Sequence, residues 1–412
     1  MTDVEIRPLG PDDDMDAQVD LGQRAYGAAT PAVWADWRER AAALVSDGAF
    51  LGAFVAGRPV GAAAFHDMRQ WWHGKPMPMA GVSSVKIAPE FRGRGLGRRL
   101  MTELLNLIAA RGYPVSALYP ATMPVYRSLG WELAGGRYQM AVPSRELRAL
   151  LAPDDAATPV DATPLATATS DAVEVRRATP GDAAAVTAVI GEAHAATHAS
   201  GPLTWNNTEV EGWLARDDLY TYLAADGFLA YRWHNDDRDL HVDRLVAASP
   251  ATYRALWSVV ASHSSTAGTV HGRFAPDDPL PWLVRERDVA ITKRSMWMLR
   301  VVDAPAAIAA RGFPPAMSCS VPLVVTDAIR PSNSGRWELT VADGQGALTM
   351  SAGGPGAAPS TLTMGARGFA ALYAGTPVAA LKFAGLAAGG SPWTDAVLDA
   401  AFAGTGYLLD DF

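Results

Sequence analysis

The residues best suited to chemistry lie between Val82 and Trp131. Arg92-Gly93-Arg94-Gly95-Leu96-Gly97 follows a segment in which Val85 and Ile87 alternate with Ser84 and Lys86, as in a strand with one buried face, closed by Pro89. Beyond the loop, Leu96, Leu100, Leu104, Leu107 and Ile108 form an apolar stripe, while Arg98, Arg99, Glu103 and Asn106 fall elsewhere; this predicts an amphipathic helix. A glycine–arginine loop between strand and helix leaves backbone N–H groups unbonded at the helix N-terminus. Glycines admit a ligand close to the backbone, the helix dipole favours an anion, and arginines add charge-assisted bonds. The expected guest is a pyrophosphate. The loop lacks the Gly-Lys-Ser/Thr ending of a nucleoside-triphosphate loop, and Arg98 stands where a dinucleotide fingerprint needs a glycine. The plainer reading is a structural turn; the preceding hairpin, entering strand and leaving helix weigh against it.

Tyr126-Arg-Ser-Leu-Gly-Trp131-Glu132 follows. A phenol can give its proton to a leaving group within reach, and core packing of the ring is the alternative. Trp34 and Trp37, three apart on a predicted helix, offer aromatic faces to a cationic amine or pack against the core. Trp71-Trp72-His73 reads as loop-like and is a weaker pocket candidate. The histidines show no metal-ligand spacing, so no metal is expected. Cys319 is the only cysteine, which excludes an intramolecular disulfide and a multi-cysteine metal site.

The elements that must position these residues repeat along the chain. Val4-Glu5-Ile6-Arg7 with Pro11 and Asp13 returns as Val173-Glu174-Val175-Arg176 with Pro180 and Asp182, at one offset of 169 residues. Two apolar runs joined at Ala56-Gly57-Arg58 return as two runs joined at Asp226-Gly227, each a predicted β-hairpin. The pattern predicts an internal duplication. Between the copies, Ala-, Thr- and Pro-rich residues 151–172 read as a linker. In the second copy, Pro250 to Trp257 contains no glycine, so that copy is expected not to bind the same anion. From Val301 onward, short strands and two helices predict an α+β unit. The expected domains are 1–150, 173–300 and 301–412, two α/β units and one α+β unit.

The chain has 412 residues and is 49% hydrophobic and 19% charged, enough apolar content for several cores. Acidic residues outnumber basic ones by 43 to 35, which argues against nucleic acid as partner. The N-terminus does not read as a signal peptide, and no run reads as a membrane span, so a cytoplasmic location is expected.

Arg92-x-x-Gly95-x-Gly97 resembles the acetyl-CoA loop of the GNAT acyltransferases, and Tyr126 to Glu132 resembles the pattern aromatic–x–x–x–Gly–aromatic–Glu of the same superfamily. One such domain, a degenerate second copy and an α+β unit together resemble the enhanced intracellular survival family of N-acetyltransferases. That resemblance implies a sterol-carrier-like third domain, a homohexamer, and acetyl transfer to amines of aminoglycosides or polyamine-like molecules, or to protein lysines. It implies acetyl-CoA contacts at Val85, Lys86 and Ile87, at Gly93, Arg94, Gly95, Leu96, Gly97 and Arg98, and at Ala121 and Thr122. It also implies Tyr126 as general acid and the α-carboxylate of Phe412 as general base. Asp410 and Asp411 flank that carboxylate, and Asp411 is a candidate for binding a cationic substrate. Tyr407 to Phe412 is apolar enough to predict docking over fraying. A different class remains open: an apolar-ligand module on a non-catalytic scaffold.

Overall fold

One local device opens both repeats. Arg7 Nη1 donates to Asp13 Oδ2 at 2.6 Å, and the Gly10 N–H donates to the same carboxylate at 2.7 Å. Arg176 Nη2 donates to Asp182 Oδ1 at 2.6 Å, and the Thr179 N–H donates to that carboxylate at 2.8 Å. Every member of the second set lies 169 residues after its counterpart, so the duplication read from composition extends to side-chain geometry.

The computed structural model describes residues 4–150, 173–234, 238–285, 288–351 and 361–412; the expected linker at 151–172 lies outside them. The first repeat supplies β1 (Glu5–Pro8), β2 (Phe50–Val55), β3 (Arg58–Trp72), β4 (Lys75–Ile87), β5 (Val115–Leu118) and β6 (Glu132–Pro143). The second supplies β7 (Arg176–Arg177), β8 (Leu203–Thr204), β9 (Tyr220–Ala224), β10 (Gly227–His234), β11 (Asp239–Ala247), β12 (Thr269–Phe274) and β13 (Ala290–Val301). The β2–β3 turn places Ala56 at φ 49° and Gly57 at φ 75°, the two positive angles of a tight hairpin turn.

All these strands join one sheet in the order β1-β2-β3-β4-β5-β13-β6-β12-β11-β10-β9-β7, with β8 on β3. The last strand of each repeat closes the other repeat's sheet: β13 pairs with β5, and β6 pairs with β12. The expected boundary at 150 therefore divides the sequence but not the sheet. Trp71 and Trp72 end strand β3 and are buried, and Trp71 Nε1 donates to Thr204 Oγ1 on β8 at 2.7 Å, so the loop-like reading of that stretch gives way to strand.

Helices α1 (Met15–Tyr26), α2 (Pro31–Ser46), α3 (Leu96–Ala110) and α4 (Met123–Arg127) belong to the first repeat. Helix α3 buries Leu96, Leu100, Leu104 and Ile108 of the predicted stripe against the sheet, with Leu107 half-buried. Helices α5 (Ala183–Ala196), α6 (Asn207–Leu214), α7 (Pro250–Ala261) and α8 (Leu280–Leu283) belong to the second.

The third unit starts with α9 (Ala304–Ala310) and builds β14 (Cys319–Thr326), β15 (Gly335–Ala342), β16 (Gln345–Met350), β17 (Leu362–Gly365) and β18 (Ala387–Gly389) into a sheet ordered β16-β15-β14-β17-β18. Helices α10 (Ala366–Tyr373), α11 (Val378–Phe383) and α12 (Pro392–Ala401) complete it. Its core is continuous with the large sheet, since Trp72, Met77 and Trp297 cluster with Val321, Leu339 and Phe369.

Candidate active site

Strand β4 and the chain after it create the site by failing to stay paired. Its parallel pairing with β5 runs Met79–Val115, Ala80–Ser116 and Gly81–Ala117, and then stops. Beyond Gly81, β4 has no partner on that side among the described residues. Ser84 sits at φ 54°, where the register with β3 also shifts. A bulge of this kind bends a strand and re-aims its groups. The result is a V between β4 and β5, open toward α3 and α4.

A cavity of about 500 Å³ fills the V. Its lining includes Val85, Lys86 and Ile87 from β4, Gly93, Gly95, Leu96 and Gly97 from the loop, and Ala121, Thr122 and Tyr126 around α4. The structure thus brings together most of the residues singled out for the cofactor, from three separated stretches. Gly93 and Gly95 have φ 73° and 77°, and a Cβ on either would meet nothing within 4 Å. Their role is conformational freedom and an unobstructed face. Gly95 is the N-cap of α3, with no side chain bonded to the first-turn N–H groups. That end of the cavity presents backbone N–H groups left free by the helix, the arrangement that suits an anion elsewhere in proteins.

Arg92 braces the loop: its Nε donates to the Ile87 carbonyl at 3.2 Å and its Nη2 to the Ala25 carbonyl at 3.1 Å. Arg94 and Arg98 do not line the cavity. The Arg94 guanidinium lies over the Phe91 ring, 5.7 Å from its centroid, and Arg98 borders a neighbouring hollow with Arg127 and Thr326.

Lys86 lines the cavity. Its buried ammonium turns away, donating to the Gln18 carbonyl at 2.7 Å and lying 4.4 Å from the Trp37 ring centroid, and burial lowers its pKa to about 7.

Tyr126 lies at the far end, 5% exposed, its ring edge-on to Trp131 at 6.4 Å. Burial raises its phenol to about 12, so it holds its proton at neutral pH. Sequence reasoning missed Tyr26, whose hydroxyl donates to the Val85 carbonyl and which also lines the cavity. It ends α1, 59 residues before Val85, and no local motif marks it. Trp34 and Trp37 do not line the cavity. Trp34 covers Gly22 of α1 and meets Trp37 edge-on at 5.7 Å, while Trp37 Nε1 donates to Ser84 Oγ at the bulge.

The residues after α12 cross the large sheet to reach the same V. The Gly136 N–H donates to the Gly406 carbonyl at 3.2 Å, and the Tyr119 hydroxyl donates to the Leu408 and Asp410 carbonyls at 3.0 and 2.8 Å. Asp410 is buried on Arg244, and Asp411 bridges Arg137 at 2.5 Å and Arg273 at 2.8 Å. Phe412 packs its ring against Gly81, where the β4–β5 pairing ends, and lies 5.7 Å from the Tyr119 ring. It is outside the Tyr126 cavity lining but beside the point of the V.

Residues 5–134 match an acetyltransferase (GNAT) domain family, residues 201–301 a second acetyltransferase (GNAT) family, and residues 304–406 a sterol carrier protein domain. A solved GCN5-related N-acetyltransferase from Kribbella flavida is 42% identical, with a TM-score of 0.89 over 100% of this chain and 98% of its own. The chain belongs to the Eis-like GCN5-related N-acetyltransferases. N-acetyltransferase Eis of Mycobacterium tuberculosis is 29% identical over 320 residues, 75% of this chain and 74% of its own length. Eis1 of Mycobacterium abscessus shares the fold, with a TM-score of 0.76 at 23% identity over 99% of this chain and all of its own. As a member, this chain is an acyltransferase, and acetyl-CoA is the co-substrate of its class. The fold is two GNAT domains followed by a sterol-carrier-like domain, as the resemblance implied.

Proposed function

We propose that this enzyme transfers the acetyl group of acetyl-CoA to a primary amine of a small polyamine-like or aminoglycoside acceptor, by direct attack within a ternary complex. The observation that carries the reading is the arrangement of the open V: an uncapped helix N-terminus at one end of the cavity and a protonated, buried Tyr126 at the other.

In this reading the pyrophosphate lies on the first turn of α3 and the pantetheine arm runs along Val85 to Ile87 toward Tyr126. The amine nitrogen forms the new C–N bond, the thioester C–S bond breaks, the Tyr126 hydroxyl supplies its proton to the departing thiolate, and the second N–H proton, shed as the amide forms, restores the phenol. The ammonium must first lose a proton. The carboxylate of Phe412 takes it, which the docking of residues 406–412 against β5 and β6 supports. Arg137 and Arg273 hold Asp411, and with it the last turn of chain before Phe412, in place.

A thiol-release assay across aminoglycosides, linear polyamines and a lysine peptide tests the acceptor. Turnover with the small amines supports the proposal, and turnover confined to the peptide rejects it. A short extension after Phe412 should lower kcat at least tenfold in a folded protein, and full activity would remove the carboxylate from the mechanism. Light scattering of the purified chain tests the homohexamer that accompanies this reading.

A further inference from the structure

The second repeat carries a cleft of its own. Strands β11 and β12 pair in parallel at Leu240–Val270, His241–His271 and Val242–Gly272, three pairs as in the β4–β5 interface, and then part. A cavity of about 540 Å³ occupies the opening, lined by Leu245, Val246 and Ala247 on β11 and Asp277 and Asp278 after β12. The turn carrying His73 and residues 403–405 of the third unit close it, and it shares no lining residue with the Tyr126 cavity. This volume lies within the range of small-molecule sites.

The chemistry of this second V is inverted. Where the first offers glycines and an uncapped helix, α7 begins with Pro250, which has no N–H, and Ser249 Oγ accepts the Thr252 N–H at 3.3 Å. That helix end borders another hollow, with Glu174 and Asp226, and not this cavity. Asp277 and Asp278 line the cavity instead. The Tyr253 hydroxyl and the Leu280 N–H donate to one oxygen of Asp278, at 2.6 and 3.0 Å, fixing the carboxylate in orientation. Of the three histidines on the wall, His73, His194 and His198, burial lowers His73 to about 4 and His194 to about 3, so those two are neutral at pH 7. His194 is 3% exposed, and among the described residues its Nε2 has no hydrogen-bond partner. An unpaired buried ring nitrogen in a cavity wall is costly unless a ligand satisfies it.

We infer that this cleft binds a small primary-ammonium compound, its cation on Asp277 and Asp278 and its carbon chain along Leu245, Val246 and Ala247. The site is separate from the acetyl-transfer cavity and does not depend on which acceptor that cavity serves.

Isothermal titration of the full chain with 1,5-diaminopentane, without acetyl-CoA, tests it. The Asp277→Asn/Asp278→Asn double variant should lose one equivalent of diamine, and Asp277→Asn alone should bind that equivalent about tenfold more weakly. An unchanged stoichiometry and affinity in the double variant overturns the inference. If the double variant melts early, Ala247→Trp decides, because it fills the cavity with both carboxylates intact. Loss of the same equivalent supports the site, and its retention rejects it. Titration of n-pentanol, which keeps the chain and lacks the charge, should show no binding, and equal binding of both compounds would also reject a cation site.

Discussion

Arg367 of the third unit donates through Nε to Glu132 Oε2 at 2.7 Å, and the other oxygen of that carboxylate accepts from Arg127 Nη2 at 2.8 Å. Arg127 is the residue after Tyr126. The sterol-carrier-like unit therefore reaches the short helix α4 through one buried carboxylate. Arg367→Ala should lower kcat several-fold with little change in acetyl-CoA affinity, and Arg367→Lys should recover part of it. Burial alone would raise the Glu132 pKa, but the bonds from Arg127, the Leu133 N–H and Arg367 outweigh it and hold it below the usual value of 4.5. Its stabilising contribution is thus present above pH 4.5 and is lost as the pH falls through the lower folded value. Thermal melts between pH 3 and 6 should show a steeper loss for the wild type than for Glu132→Gln.

Tyr126→Phe keeps the ring against Trp131 and removes the proton. If the phenol is the acid, kcat should fall by roughly 10²–10⁴, with acetyl-CoA binding retained. Thiol release and calorimetry on one preparation separate the two quantities. Unchanged turnover would mean that the thiolate leaves unassisted.

Gly95→Ala places a side chain at φ 77°, where a Cβ meets no neighbour. The penalty is conformational, about 1–2 kcal/mol, and falls on the turn that presents the α3 N–H groups. Acetyl-CoA affinity should drop about tenfold, and the melting temperature by a few degrees. The matching change in the second repeat, Ser249→Gly, should leave acetyl-CoA affinity unaltered, as measured by the same titration.

Lys86 gives a pH dependence of the same sign as Glu132, in a higher pH window. Burial lowers its pKa from 10.5 to about 7, so between those values the unfolded chain binds a proton that the folded chain does not. Stability from this group rises with pH across that window, by on the order of a few kcal/mol. Wild type and Lys86→Met, melted at pH 6.5 and 9.5, should differ accordingly: the wild type gains on the variant at the higher pH.

The loop and its flanks were legible because one contiguous stretch encodes strand, turn and helix, and Gly93 and Gly95 do take the angles that favour glycine. The duplication was legible because Arg7 and Asp13 recur with their spacing. Tyr26 was not, since its relation to Val85 is purely tertiary. Trp34 and Trp37 have a spacing that fits a pocket wall and a packing seam equally well, and the close approach of Trp34 to Gly22 is tertiary and leaves no mark in that spacing. Partner choice in the sheet was hidden for a different reason. Strands β6 and β13 occupy equivalent places in two copies of one pattern, so either suits either neighbour by periodicity. Only the assembled sheet distinguishes them.

That exchange has a consequence for how the chain is born. On the ribosome, β6 is complete at residue 143, but the strand that must sit between it and β5 ends at residue 301. At ordinary elongation rates the delay is roughly 8–30 s. Throughout it, the acetyl-transfer half waits with an unfilled slot. A nascent chain with such a gap can accept the equivalent strand of a neighbour on the same message, which makes intertwined dimers the characteristic misassembly of this architecture.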